Sequence, residues 1–158
     1  MQIERVSAPD EKSEICERIL KSLPEWFGVP ASVERYIHDV RETPFFTVRA
    51  DGVVAGFAAL KEHNEHTAEI LVVGVLPEYH RRGVGRTLIS AAELFCRDTG
   101  RSFLTVKTLD ESDRYEPYLK TLAFYRAMGF LPLQVIDGYW DEQNPCLMLA
   151  KWLGTQHI

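Results

Sequence analysis

The stretch Ala68-Glu69-Ile70-Leu71-Val72-Val73-Gly74-Val75-Leu76-Pro77-Glu78-Tyr79-His80-Arg81-Arg82-Gly83-Val84-Gly85-Arg86 decides the fold. Ala68 to Leu76 is nearly continuous apolar, which predicts a strand covered on both faces. Its only charge is Glu69. Gly74 interrupts it near the end, the mark of a bulge or of a close backbone approach. Arginines and glycines then open a helix that sets Val84, Leu88, Ala91, Ala92 and Phe95 on one face and stops at Thr99-Gly100. A helix start presents unpaired N–H groups and a partial positive charge, so it attracts anions. Glycines let the backbone approach phosphate oxygens, and arginines add charge-assisted hydrogen bonds. Arg81, Arg82, Gly83, Val84, Gly85 and Arg86 are therefore candidate pyrophosphate-binding residues. The plainer alternative is a solvated turn with incidental arginines.

Two commoner phosphate loops do not fit. A dinucleotide fingerprint needs a glycine three positions after Gly85, where Leu88 stands, and a P-loop needs Lys-Ser/Thr where the chain has Arg86-Thr87.

Working outward, Gln2 to Val6 alternates like a short strand, and Pro9-Asp10 opens a helix carrying Ile15, Ile19, Leu20 and Leu23. Pro24 to Pro30 reads as a loop with Trp26 and Phe27. Ser32 is placed to N-cap a second helix with Val33, Tyr36, Ile37 and Val40 at helical spacing. Phe45 to Ala50 and Val53 to Leu60 predict a hairpin around Asp51-Gly52. Beyond the central helix come a short strand, Phe103 to Val106, a charged loop, Asp110 to Glu116, and a helix, Tyr118 to Met128. A last antiparallel pair, Phe130 to Ile136 and Cys146 to Trp152, flanks a loop from Asp137 to Pro145. These elements make one α/β domain over residues 1–158, a mixed sheet with helices on both faces. The strands at Ala68 and Phe103, joined by a helix, are expected parallel.

A chain of 158 residues with net charge −5 lacks the broad basic surface of a nucleic-acid binder. The local cluster Arg81, Arg82 and Arg86 suits a small polyanion better. Cys16, Cys96 and Cys146 form no C-x-x-C pair and read as reduced thiols of a cytoplasmic protein. No segment reaches the length of an apolar membrane span, and no metal-ligand spacing is recognisable.

Val75 to Leu88, with Arg81-Arg82-Gly83-Val84-Gly85 at its centre, resembles the acetyl-CoA signature of the GNAT superfamily of N-acetyltransferases. That signature is Gln/Arg-x-x-Gly-x-Gly/Ala after a strand ending in Val-x-Pro. A second stretch, Leu122-Ala123-Phe124-Tyr125-Arg126-Ala127-Met128-Gly129-Phe130, is similar to the family's Phe-Tyr-x-x-x-Gly-Phe segment. The resemblance covers nearly the whole chain. It departs at His80, where Gln or Arg is usual, and at Tyr118, where Asn is frequent. It implies a six- to seven-stranded, mostly antiparallel mixed sheet with about four helices. It also implies acetyl-CoA as co-substrate, and transfer of its acetyl group to a primary amine by direct attack in a ternary complex. The acceptor is a small molecule or a protein amine. A homodimer through the last strands is allowed.

The same resemblance assigns roles. A lysine-like amine must lose a proton before attack, at a cost of about 4–5 kcal/mol at neutral pH, so a general base is valuable. Glu69 lies fourteen residues before Gly83, where some protein-acetylating relatives place a catalytic glutamate. Its alternatives are a strand-end carboxylate paired with a neighbouring arginine, or bound water as the base. Val73, beside Gly74, is expected to offer its N–H to the acetyl oxygen, and Val75 to pair with the pantetheine arm as an added strand. Tyr125 is the expected acid for the leaving thiolate; its alternative is a packed core aromatic. His63 and His66 read as a surface turn. Trp26, Phe27, Tyr118, Tyr139 and Trp140 are available to line an acceptor pocket. The competing function is a non-catalytic or regulatory acyl-CoA-binding module, which needs neither Glu69 nor Tyr125.

Overall fold

In a computed structural model that describes residues 1–110, 115–141 and 143–155, the chain runs β1 (Gln2–Arg5), α1 (Pro9–Lys21), α2 (Pro30–Asp39), β2 (Phe45–Ala50), β3 (Val53–Glu62), β4 (Thr67–Val75), α3 (Val84–Asp98), β5 (Phe103–Leu109), α4 (Glu116–Ala127), β6 (Leu131–Asp141) and β7 (Asn144–Trp152). The strands form one seven-stranded sheet in the order β1-β2-β3-β4-β5-β7-β6. Every neighbouring pair is antiparallel except β4–β5, whose connection is α3. The mixed sheet and its four helices match expectation.

The β2–β3 turn forms where sequence places it, with φ of 52° at Asp51 and 78° at Gly52. That pair of left-handed residues matches the twist of the strands it joins. Gly56 and Phe57 are consecutive in β3 and so point to opposite faces. A Cβ on Gly56 would lie 2.8 Å from Val84 Cγ1 and 3.1 Å from Leu88 Cδ1, both on α3. Phe57 pairs with Gly74 of β4, and a Cβ there would meet Ile19 Cγ2 at 3.0 Å, on α1. Thus α1 and α3 cover opposite faces, each at a glycine. Phe45, Phe57, Ile19, Leu20, Leu88 and Ile89 are fully buried between these layers, each contributing about 1.5–3 kcal/mol of burial.

Three expectations need correction. Gly74 is not a bulge: the β3–β4 register slips between the Ala59–Val72 and Leu60–Ile70 pairs, which makes Leu71 the extra residue. The other reading of Gly74, a close approach, holds: a Cβ would lie 3.0 Å from Ile19 Cγ2 of α1 and 3.1 Å from the Phe57 ring. Next, α2 starts at Pro30 behind Val29, without a side-chain cap. Proline at the first helical turn is preset for helix entry, so Ser32 is already inside it. Lastly, most of the loop expected from Asp137 to Pro145 is strand, since β6 reaches Asp141 and β7 begins at Asn144. The register shifts between Ile136 and Asp141, with Gly138 at φ 69° absorbing the irregularity. Much of the charged loop from Asp110 to Glu116 lies outside the described residues. Among the described residues, no helix is long and apolar enough to cross a membrane.

Candidate active site

The sheet splits at its centre. β4 and β5 pair from Thr67–Phe103 to Ile70–Val106 and no further. Past that point β4 stays with β3, while β5 continues with β7 as far as Leu109–Cys146. What faces the split follows from antiparallel alternation. Leu76 N–H donates to Ala55 C=O (2.8 Å), so those partners form a hydrogen-bonded pair. Counting back by twos, Gly74 and Val72 bond to β3, whereas the N–H and C=O groups of Val75 and Val73 point away from it. Both valines therefore direct their backbone groups into the gap. Divergence of β5 leaves these groups without a strand partner, the Val75 C=O being taken up by His80 Nε2 instead; a bulge at Gly74 is not the cause.

The glycine loop stands at the end of β4. Arg81 (φ 63°) and Gly83 (φ 83°) adopt left-handed backbone, which turns the chain sharply into α3. Thr87 caps the turn, its N–H and hydroxyl both donating to Gly83 C=O at 3.0 and 2.9 Å. Val84 is buried under the sheet, so only its backbone is available to a ligand. Gly85 is needed for closeness, because a Cβ would lie 3.2 Å from the Phe124 ring of α4. Arg81 and Arg86 are exposed. Arg82 is engaged: its guanidinium bonds Asp51 (3.3 Å) at the hairpin tip and lies 4.7 Å from the centre of the Tyr79 ring. The departure at His80 has a structural use, since its Nε2 lies 2.7 Å from Val75 C=O and its ring packs edge-on against Trp26.

Glu69 is 5% exposed, on β4 opposite Thr105 of β5. Lys107 Nζ bonds both of its carboxylate oxygens, at 2.9 and 2.8 Å, and His63 Nε2 lies 2.6 Å from Oε1. The alternative of a paired carboxylate named an arginine; the partners are a lysine and a histidine. His63 stays in the exposed turn between β3 and β4, its N–H donating to Thr67 C=O (3.1 Å), while its ring reaches back to Glu69. Its neighbour His66 stays exposed beside Glu65. Burial opposes the charge on Lys107, but hydrogen bonds and charge from Glu69 outweigh it and hold the ammonium above the usual lysine range. The Tyr139 ring centre lies 5.0 Å from Lys107 Nζ. Tyr36 of α2 is near enough to feel the same groups: burial pushes its phenol up, against the nearby charge of Arg35, and Tyr139 and Glu69 push the same way.

Tyr125 is 3% exposed in α4, edge-on to Phe124 and Phe130 at 5.4 and 5.6 Å. Burial raises its phenol well above the ordinary value, and Tyr36 adds to the shift. It stays protonated at neutral pH, as a proton donor must. Trp26 ties the α1–α2 loop to α4, donating from Nε1 to Pro117 C=O (3.2 Å) and Thr121 Oγ1 (3.1 Å). Tyr118 returns a bond to Trp26 C=O. Phe27 packs edge-on to Tyr36, and Trp140 edge-on to Tyr139.

Sequence reasoning missed Lys107 and Tyr36, and it placed His63 correctly in a surface turn without foreseeing that the ring reaches Glu69. Lys107 had a signal, being the only charge in Phe103–Leu109 just as Glu69 is the only charge in its strand. Tyr36 had none, because its spacing reads as core. The groups present fit acetyl-CoA. A left-handed turn at a helix start with two exposed arginines suits a pyrophosphate, and two gap-facing valine backbones suit an amide-bearing arm. Among the described residues no cluster could hold a metal ion.

Comparison with known proteins agrees. The model of the Acetyltransferase (GNAT) family matches residues 12–130. An uncharacterised N-acetyltransferase of Chlorobaculum tepidum is 29% identical over 103 residues, covering 65% of this chain and 58% of that protein. The match thus spans little more than half of this relative. A GNAT-family protein from Desulfovibrio desulfuricans superposes with TM-score 0.82 at 18% identity, over 97% of this chain and 99% of that one. An aminoglycoside 6'-N-acetyltransferase complexed with coenzyme A gives TM-score 0.75 at 15% identity, over all of both chains. With two linked motifs, the split sheet and a family match over most of its length, this chain belongs to the GNAT family of acetyltransferases.

Proposed function

We propose that the protein transfers an acetyl group from acetyl-CoA to a primary amine by direct attack in a ternary complex. The observation that carries this reading is the pair of gap-facing backbones, Val73 and Val75, between the arginine-glycine loop and Glu69. Bound there, acetyl-CoA supplies an activated thioester carbonyl. Backbone N–H groups at Gly83, Val84 and Gly85 and the Arg81 and Arg86 side chains hold the pyrophosphate. Arg82 is released from Asp51 or shares it. Val75 N–H orients a pantetheine amide carbonyl, its own C=O being held by His80, and Val73 N–H donates to the acyl oxygen, where charge builds in the transition state.

Glu69 receives the proton lost by the acceptor nitrogen. Oε1 already takes two hydrogen bonds and Oε2 one, which leaves a lone pair on Oε2 for the amine. Tyr125 gives its phenol proton to the departing sulfur. One N–C bond forms as one C–S bond breaks; an acceptor that arrives as an ammonium loses two protons, one to Glu69 before attack and one that restores the Tyr125 phenol as the amide forms.

One observation favours the second reading, a non-catalytic acyl-CoA-binding module: Glu69 is held by Lys107 and His63, as a structural carboxylate would be. Thiol release from acetyl-CoA across an amine panel decides between them. Turnover that falls in Glu69→Gln and Tyr125→Phe supports catalysis. Tight acetyl-CoA binding without turnover on any amine supports the module. We place the protein in the cytoplasm, in keeping with three buried free cysteines. A homodimer through the last strands fits edge strand β6, which exposes Leu131, Leu133 and Val135.

A further inference from the structure

The carboxylate that receives the acceptor amine already holds a primary ammonium, that of Lys107. Its Nζ sits 2.9 and 2.8 Å from the two Glu69 oxygens. Tyr139 lies over it at 5.0 Å. The side chains of Lys107 and Glu69 are only 14% and 7% exposed. An acceptor ammonium that reaches the open lone pair of Oε2 competes with Lys107 for the same single negative charge. A plain cation satisfies Glu69 but leaves Lys107 in a largely buried place without its counter-charge, the arrangement that makes breaking such pairs costly. An acceptor that also carries an anion supplies both halves of the exchange. Its ammonium replaces Lys107 on Glu69, and its carboxylate or phosphonate replaces Glu69 on Lys107. His63 stays on Oε1 throughout.

Resting on the acetyltransferase reading above, we infer that the preferred acceptor is a zwitterionic amine, with an anionic group a few bonds from the reacting nitrogen, and that Lys107 selects it. The acidic net charge by itself would point to a cation; the internal ammonium at the site outweighs it.

The test uses matched amines that differ by the anion: β-alanine against ethylamine, γ-aminobutyrate against propylamine, and 2-aminoethylphosphonate as the phosphonate arm. Putrescine serves as the plain dication. Thiol release gives kcat/KM for each. Wild type is expected to favour the anionic member of each pair at least tenfold, mainly through KM. Lys107→Arg should keep the preference and Lys107→Met should remove it, by weakening the zwitterions and improving the plain amines. If Lys107→Met does not fold, as read by circular dichroism, the wild-type ratios decide alone. Turnover of propylamine or putrescine as efficient as that of γ-aminobutyrate overturns the inference and leaves the acetyltransferase reading standing. No turnover on any amine overturns both.

Discussion

Replacing Glu69 by Gln tests whether this carboxylate is scaffold, catalyst or both. The amide is isosteric but neutral, so Lys107 keeps one acceptor oxygen and loses its counter-charge. Removing one partner of a buried pair costs about 3–5 kcal/mol. The pair here is nearly buried, with side chains 7% and 14% exposed, and one hydrogen bond survives, which points to the lower end, about 3 kcal/mol. For a domain of this size that lowers Tm by about 6–12 °C. Adding Lys107→Met removes the stranded ammonium, and the double variant should regain most of the lost Tm. Activity should not follow. Without a base the rate of thiol release should stay down by about 10²–10⁴ in both variants. Thermal unfolding and acetyl-CoA turnover on the same preparations separate the two effects. Recovery of turnover along with stability in the double variant would refute the catalytic role. An unchanged Tm in Glu69→Gln would refute the energetic argument.

Three further outcomes follow from the geometry. Tyr125→Phe should lower kcat by about 10²-fold or more while Tm barely moves, because the ring contacts with Phe124 and Phe130 persist; since burial raises the wild-type phenol, kcat should show no loss from Tyr125 ionisation up to pH 9, which a pH–rate profile checks. Gly83→Ala puts a Cβ at φ 83°, a strain of about 1–2 kcal/mol; relaxing the loop should raise KM for acetyl-CoA by tenfold or more with kcat nearly unchanged. Burial pushes the Cys16 thiol up to about 12 and Cys96 up to about 11. The unfolded chain releases those protons near pH 8.5, so the stability is complete below that pH and is lost as pH rises toward the folded values. Tm should fall from pH 9 upward, and less steeply in Cys16→Ala.

The fold was legible because its signals are local and strong. Asp51-Gly52 between alternating runs can hardly be other than a hairpin. The apolar run at Ala68 followed by Gly83-Val84-Gly85 dictates strand, turn and helix within twenty residues. The final hairpin was harder to read: Asp137-Gly138 looks like a turn, and the strand runs on past a register break between Ile136 and Asp141 that Gly138 absorbs, to pair again with β7 at Asp141–Asn144. What the proposal asks of Val73, Val75 and the glycine loop is backbone position, which a strand–turn–helix pattern carries in its sequence. The partners of Glu69 could not be read that way. Lys107 is 38 residues away, and nothing in its own strand says which neighbour it meets. His63 was discounted because a histidine in a polar turn is ordinarily solvated. It reaches Glu69 because that turn folds β3 back on β4, with Lys61 opposite Glu69 and Glu62 opposite Ala68.

Both halves of the proposed chemistry arise from one feature, the end of the β4–β5 ladder at Ile70–Val106. Before that point the two strands share hydrogen bonds, and the partners Glu69 and Thr105 are fixed side by side. Lys107 is the first residue beyond the last pair. It is still close enough to reach back to Glu69, and it marks the near wall of the gap. Val73 and Val75 lie on the departing strand with their backbone groups turned toward the far side. The parallel ladder thus brings an acid and an ammonium together at its end, and the divergence leaves room next to them for an extended amide chain. Continuing the ladder by three more pairs, to the end of β5, would give Val73 a strand partner and close the gap on the donor side. Ending it two pairs sooner would separate β4 from β5 at Glu69 and loosen the ion pair that, on the reading above, chooses the acceptor. The position of the split therefore couples donor binding to acceptor choice. A register change in β5 should disturb both KM values together, whereas Gly83→Ala should disturb only the one for acetyl-CoA.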